Sequence, residues 1–181
     1  ELRAVAGFAA ACAQPVLALF EKDCPDDDRP SVALEAARTF AAGAARSRLQ
    51  RSAAADAHRA AKASRTAVAS HAATAAGDAA ASAYLHPLAN VTQLRHILGT
   101  ATHAARAAEL AYGDDPVVAE YMLAAAVGRA TPVLLDVLSR YPRAPAGRTR
   151  HAVLMQRLDV MLRDPRPTPR VVDDAGPFFH G

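Results

Sequence analysis

Alanine is the feature of this sequence that most limits what it can fold into. It accounts for 47 of the 181 residues. Alanine has the highest intrinsic helix propensity, and its methyl group lets neighbouring helices approach closely. The chain has no tryptophan, and aromatic residues make up only 5% of it. We therefore predict an all-α protein, a single domain of about six to seven closely packed helices, whose core depends on scattered Leu, Val, Phe and Tyr side chains.

Hydrophobic periodicity and Pro or Gly residues divide the chain into segments. The predicted helices cover residues 2–22 with a kink at Pro15, 30–42, 46–64 with a possible break near Ser52, 65–85, 91–111, 117–141 with an interruption at Pro132, and 148–163. Residues 1–163 thus form the helical domain, and residues 164–181 form a Pro-rich C-terminal tail. Phe178 and Phe179 in this tail are predicted to fill a groove on this molecule or on a second copy, which would give a homo-oligomer.

The clearest local signal is the stretch CPDDDRPSVALEAARTFAAG at residues 24–43. Asp28 is expected to cap a helix through its side chain, and Pro30 fits the first helical turn because its missing N–H costs nothing there. Val32 in this stretch and Val153 in the segment 148–163 are among the residues predicted to face the core. Gly43 is expected to end the helix in the left-handed conformation. Later in the chain, Asn90 or Thr92 is expected to cap the helix at 91–111, Gly113 to end it, and Asp115 to cap the next helix.

The same stretch is acidic, and the acids have two interpretations. Asp23, Asp26, Asp27 and Asp28 precede Arg29. One interpretation is a structural helix start, where negative charge meets the positive end of the helix dipole. The other is an exposed docking patch for a basic protein partner, in which Asp26, Asp27, Asp28 and Arg29 are rim charges of the interface.

Composition argues against several classes of function. The net charge is only +3, and the basic residues of segment 46–64 are not interleaved with aromatic side chains, so nucleic-acid binding is not expected. We find neither a signal peptide nor an apolar run long enough to span a bilayer, so the prediction is a cytoplasmic protein with no membrane partner.

Motifs for catalysis and for metal binding are absent from the sequence. It contains no P-loop, GxGxxG, GxSxG, HExxH or CxxC pattern. His96 and His103 are two helical turns apart, about 10.5 Å along the axis, too far to share one metal ion, so we expect exposed histidines. Cys12 is expected to be a small core residue. The prediction is a protein without catalytic activity, metal or cofactor.

Asp78 is the one acidic residue in the least polar predicted helix, so it requires a partner if it is buried. Candidate partners are His71, an Arg of a neighbouring helix, or the helix start after Pro87. Alternatively, Asp78 lies in a pocket between helices. The residues that would line such a pocket are Asp78, Tyr84, His96 and Tyr121.

Two runs, DCPDDDRPSVALEAARTFAAG and AAGDAAASAYLHPLA, together with the Ala-rich helices between them, resemble a bacterial family of immunity proteins. These are immunity-five-like, all-helical domains of polymorphic-toxin systems, common in actinobacteria. The resemblance covers residues 2–110 and is most specific at 27–38. The sequence departs from the family at Asp78 and Tyr84, where relatives often have His.

The resemblance implies a non-catalytic immunity protein that binds a partner toxin and neutralises it by covering its surface. The rival interpretation from the residues is a helical protein that sequesters a small molecule, such as an antibiotic, in a pocket between helices.

Overall fold

The computed structural model of the protein describes residues 1–86 and 88–164, and the all-α prediction is confirmed for them. Their helices are α1 (Leu2–Ala13), α2 (Leu17–Asp23), α3 (Arg29–Ala41), α4 (Arg48–Ala63), α5 (Ala67–Ala81), α6 (Val91–Ala111), α7 (Pro116–Gly128), α8 (Pro132–Ser139) and α9 (Arg150–Arg163). No strand occurs in this described part of the chain. The predictions made for Phe178 and Phe179, and for an oligomer built on the tail, concern residues outside the described ones.

Helices α5 and α6 form the centre of the domain. Helix α5 packs against both α4 and α6. Helix α1 contacts α5 and α6, and α7 and α9 pack on α6. A cluster made only of alanines joins α3, α4 and α5; its members are Ala33, Ala36, Ala53, Ala54, Ala57 and Ala80. Larger side chains such as Leu94, Ile97 and Leu98 fill the space around α6. Methyl surfaces thus bring α3, α4 and α5 close together, and larger apolar side chains build the rest of the core.

Helices α1 and α2 form one rod that is interrupted by a 3-10 turn, Gln14–Val16, at the predicted position of Pro15. Cys12 lies in the core, and burial raises the pKa of its thiol to about 12. The expectation about membrane spans was wrong for this rod. Leu2–Asp23 contains an 18-residue window with a mean hydropathy of 1.5, which is long and apolar enough to cross a bilayer by length and composition alone, and 44% of that window is buried within the domain.

The prediction that Asp28 caps α3 through its side chain was wrong. Its backbone is already helical (φ −87°, ψ −4°), and its side chain accepts no capping hydrogen bond. Asp27 takes that role instead, because its Oδ1 accepts from the backbone N–H of Arg29 at 3.2 Å. Pro30 lies in the first turn, and Gly43 has a φ of +118°, as predicted.

Two valines predicted to face the core are exposed. Val32 of α3 has an exposed fraction of 43%, and Val153 of α9 has one of 41%. The buried face of α3 consists instead of Pro30, Ala33, Leu34, Ala36, Ala37 and Phe40. Alanine tolerates either environment, so an Ala-rich helix leaves the rotation of its apolar face poorly defined in the sequence.

Helix α4 is continuous through Ser52, where a break was predicted, and it begins with a capping box that was not predicted. The Ser47 side chain caps the helix, and Gln50 bonds back to the backbone N–H of Ser47 at 2.9 Å. This capping box fixes the start of α4. Asn90, Asp115, Thr131 and Thr149 cap the later helices through a side-chain oxygen alone.

Removing the Ser47 hydroxyl should therefore destabilise the protein. We expect Ser47→Ala to lower the free energy of unfolding by about 1 kcal/mol, because a capping side chain is lost. Asp28→Ala is the matched control and should change it by less than about 0.5 kcal/mol, since that side chain caps nothing. Urea denaturation followed by circular dichroism measures both, and equal losses would contradict the capping assignment.

Helices α7 and α8 correspond to the segment predicted at 117–141. They are two helices that meet at an angle of 103°, with a break before Pro132. Gly113 has a φ of +82°, and Asp115 then caps α7, as the sequence predicted.

Helix α9 is held on the domain by buried acidic residues that the sequence analysis did not identify. Glu109 of α6 is 1% exposed and accepts hydrogen bonds from Arg106 at 2.7 Å and from Arg150 Nε at 2.8 Å. Asp159 of α9 is 2% exposed and accepts from Arg163 Nε at 2.7 Å. The Glu109–Arg150 pair joins α6 to α9, whereas the Asp159–Arg163 pair lies within α9. The cleft described next lies between α5, α6 and α9.

Candidate functional site

A cleft with a volume of about 460 Å³ opens between α5, α6 and α9. We call it the Asp78 cleft. The polar side chains that line it are Thr74, Asp78, Arg95, His96, His103, Thr149 and His151. Because they come from three helices, the cleft gathers residues that are far apart in the sequence.

Two glycines make room for Asp78 and for the His58 ring beside it. A Cβ atom added to Gly99 of α6 would lie 3.1 Å from Oδ2 of Asp78. A Cβ atom added to Gly77 would lie 3.0 Å from the imidazole of His58, which comes from α4. The missing side chains therefore let the Asp78 carboxylate fit against α6 and let the His58 ring fit against α5.

Asp78 has a weak partner in the structure. Its Oδ1 lies 3.4 Å from Nε2 of His58, which is longer than an ordinary hydrogen bond. His58 was not among the partners predicted for Asp78. Burial raises the pKa of Asp78 to about 7 and lowers the pKa of His58, so the imidazole is mostly neutral at pH 7. The carboxylate thus lies in a desolvated position without a full counter-charge.

Three imidazoles form a connected group beside Asp78. Nδ1 of His71 lies 2.8 Å from Nδ1 of His103, so one ring donates and the other accepts. The rings of His103 and His151 stack with centroids 3.9 Å apart. Nε2 of His151 is 2.8 Å from the hydroxyl of Thr102. The contacts join α5, α6 and α9 through neutral rings.

Burial keeps these imidazoles uncharged. It lowers the pKa of His103 to about 2 and that of His151 to about 4, and repulsion from neighbouring imidazolium charges adds to both shifts. The pKa of His71 is also lowered, first by burial and then by Arg106. At neutral pH the cleft therefore presents hydrogen-bonding nitrogens and no imidazolium charge.

The prediction of exposed histidines was wrong, because His96 and His103 are half-buried beneath α9. Five of the seven histidines converge here: His58, His71, His96, His103 and His151. One signal was available in the sequence. His71 and Asp78 on α5 are seven residues apart, as are His96 and His103 on α6, so each helix carries a polar stripe. Within residues 1–86 and 88–164, no group of three or more His, Cys, Asp or Glu side chains has a geometry that could hold a metal ion.

Comparison with known proteins gives a family. The model of the family described as Imm-5 like putative immunity protein matches residues 1–125, more than two thirds of the chain. This chain belongs to that family. No curated protein and no solved structure matches it. The family match includes α1 to α6 and most of α7, so it contains Asp78, His96 and His103 but ends before His151 of α9.

In this Imm-5 like protein, the four residues predicted to line a pocket lie in three places. Asp78 and His96 both line the Asp78 cleft. The ring of Tyr84 lies under the guanidinium groups of Arg46 and Arg51, whose carbons are 5.0 and 4.4 Å from its centroid. Tyr121 of α7 packs, partly buried, against the main core.

The four predicted rim charges of the Imm-5 like protein differ in exposure. Asp26 and Asp28 are exposed. Asp27 and Arg29 form an ion pair of 2.6 Å with each other, and Arg29 lowers the pKa of the Asp27 carboxyl. Asp23 accepts a hydrogen bond from Thr66. We call residues 23–28 the acidic loop. It presents Asp26 and Asp28 to solvent, while Asp23 and Asp27 are engaged within the molecule.

Gly77 offers a test of how closely α4 and α5 pack. We expect Gly77→Ala to lower the free energy of unfolding by about 1 kcal/mol or more, because its methyl would press on the His58 ring. Gly7→Ala is the control, since its Cβ would meet Ala41 at an ordinary 3.7 Å, and there the higher helix propensity of alanine should stabilise slightly. The double variant His58→Ala, Gly77→Ala should be less destabilised than the sum of the two single variants, because the added methyl no longer meets an imidazole ring. Strictly additive losses of unfolding free energy in thermal denaturation would contradict this packing.

Proposed function

We propose that this protein is a non-catalytic immunity protein of the cytoplasm, which binds a partner toxin and neutralises it by covering the toxin's surface. Membership of the Imm-5 like family over residues 1–125 carries the proposal. The absence of catalytic motifs from the sequence is consistent with an inhibitor that works by binding.

The acidic loop is the surface we propose for the partner. Asp26 and Asp28 are exposed on it, and complementary charge accelerates the encounter with a basic partner. Val32 lies one helical turn after Asp28 and is 43% exposed. An exposed apolar side chain beside two exposed acids supplies an anchor next to a charged rim, which is how protein interfaces are commonly arranged.

Binding to the product of the neighbouring gene tests the proposal. The two purified proteins should form a complex, and co-expression of this protein should restore the growth of cells that produce the toxin. We expect the double variant Asp26→Asn, Asp28→Asn to slow association about tenfold at low salt, as measured by surface plasmon resonance. Glu120→Gln with Asp136→Asn removes the same charge from α7 and α8 and should leave association unchanged. No complex with the folded wild-type protein would contradict the proposal.

A second candidate function is the binding and sequestration of a small molecule. The Asp78 cleft favours it, because convergent polar groups in a concave space are typical of ligand sites.

A further inference from the structure

We propose that the Asp78 cleft binds a small zwitterion of the amino-acid class, with Asp78 as the counter-ion of its amino group and Arg95 as the partner of its carboxylate. The inference is independent of the acidic loop and of any toxin. It depends on four features of the cleft: the poor solvation of a buried acid, the neutrality of the imidazoles, the position of the Arg95 guanidinium, and the available volume.

The first feature is the poor solvation of Asp78. Its side chain is 18% exposed, and its nearest charge partner is the His58 imidazole at 3.4 Å. Oδ2 lies 3.1 Å from the position that a Cβ atom on Gly99 would occupy, and glycine has no side-chain donor. A desolvated carboxylate costs free energy unless a cation or several hydrogen bonds compensate it. A protonated amino group in the cleft would supply both, with three N–H donors and a positive charge.

The second feature is that none of the residues in the described ranges 1–86 and 88–164 places a competing positive charge next to Asp78. Burial lowers the pKa of His58, His96, His103 and His151, so these rings are neutral near pH 7. Neutral imidazoles accept hydrogen bonds from an amino group without repelling it. Lys62 and Arg106 act on the outer rings His58 and His71 and are not among the residues that line the cleft.

The third feature is Arg95, the cation among the described residues that line the cleft. It is exposed and precedes Gly99 by four residues, so their Cα atoms are about 6 Å apart along the α6 axis. A guanidinium at the rim and a carboxylate inside give the cleft two poles of opposite charge. A ligand that carries an amino group and a carboxylate matches both poles, whereas a simple amine meets only one.

The fourth feature is size. The cleft volume of about 460 Å³ falls at the lower end of the range found for small-molecule sites. Its floor also includes Met155 and Ala152 of α9, which give an apolar surface beside the polar groups. A free amino acid with a modest side chain fits this mixture of charge, polarity and apolar surface.

The experiment is a thermal-shift screen of the full chain against the twenty L-amino acids, followed by titration calorimetry of those that stabilise it. We expect at least one amino acid to bind. The matching amine without the carboxylate should bind about tenfold more weakly, and the matching acid without the amino group should not bind detectably. Asp78→Asn should weaken the binding at least tenfold, and Arg95→Gln about tenfold.

Two further variants test whether the amino acid binds in the Asp78 cleft. Asp56→Asn removes an acid of α4 that does not line the cleft and should leave the affinity unchanged. Gly99→Ala places a methyl 3.1 Å from Oδ2 of Asp78 and should weaken binding while the charge is kept. No response to any amino acid, an unchanged affinity in Asp78→Asn, or stabilisation by Zn²⁺ alone would overturn the inference. None of these outcomes bears on binding of a toxin to the acidic loop, so the two proposals fail separately.

Discussion

Replacing Glu109 with alanine should lower the free energy of unfolding by about 3–5 kcal/mol. Glu109 is 1% exposed, and its carboxylate pairs with both Arg106 and Arg150. Removing it leaves Arg106, whose side chain is 17% exposed, without its buried partner and also cuts the link between α6 and α9. Urea denaturation at pH 7, followed by circular dichroism, measures the loss.

Two variants show whether the loss comes from the buried charge. Glu120→Ala breaks the exposed pair between Glu120 and Arg157, whose side chains are about half exposed, and should cost less than 1 kcal/mol. Glu109→Gln keeps the shape but not the charge, so its cost should lie between the other two. A loss below 1 kcal/mol in Glu109→Ala would mean that these ion pairs do not hold α9 in place.

Asp78→Asn should stabilise the protein at neutral pH, and the gain should grow as pH rises. The unfolded chain ionises Asp78 near pH 4, whereas the folded protein holds the proton until about pH 7. Between these values the unfolded state binds fewer protons, so the wild type loses stability as pH rises. A shift of three pKa units corresponds to roughly 4 kcal/mol of unfolding free energy. The wild type loses this amount as pH rises, and the variant with a neutral amide does not.

The measurement is the difference in unfolding free energy between Asp78→Asn and the wild type at pH 4, 5, 6, 7 and 8. Both proteins contain the same imidazoles, so the comparison largely cancels the effect of histidine titration. The difference should increase through the range from pH 4 to 7 and then level off. Asp27→Asn is the control and should lower the unfolding free energy instead of raising it, because Arg29 stabilises the ionised carboxylate and lowers its pKa. A pH-independent difference for Asp78→Asn would contradict the burial of this acid.

The sequence predicted those parts of the fold that depend on local chemistry. Gly43, Asn90 and Asp115 act at helix ends through their own backbone or side chain, so neighbouring residues suffice to recognise them. Asp28 shows the limit of this reasoning. It has a favourable residue type in a favourable position, but the side chain of Asp27, two residues before Arg29, accepts the hydrogen bond from the Arg29 N–H.

The candidate site was only partly predictable because it depends on how the helices are rotated and paired. The polar stripes of α5 and α6 are visible in the sequence, and they contain Asp78 and His96. The sequence does not show that the His58 ring packs against α5 at Gly77, or that His151 of α9 lines the cleft. Both depend on close approaches between distant segments, which alanine and glycine permit but do not specify.

Glu109 was missed for a related reason. Arg106 and Glu109 are three residues apart on a helix, a spacing that is typical of an exposed ion pair. Only the packing of α9 shows that this pair is buried and that Arg150 completes it.

The central claim is that Asp78 is held in a desolvated cleft without a full counter-charge, and the most direct test is its own titration. Carbon-13 NMR of the carboxyl groups, with the Asp78 signal assigned by its loss in Asp78→Asn, follows ionisation between pH 3 and 9. We expect a midpoint close to 7, because burial raises the pKa of this group. A midpoint near 4, the value of an ordinary exposed aspartate, would contradict the account.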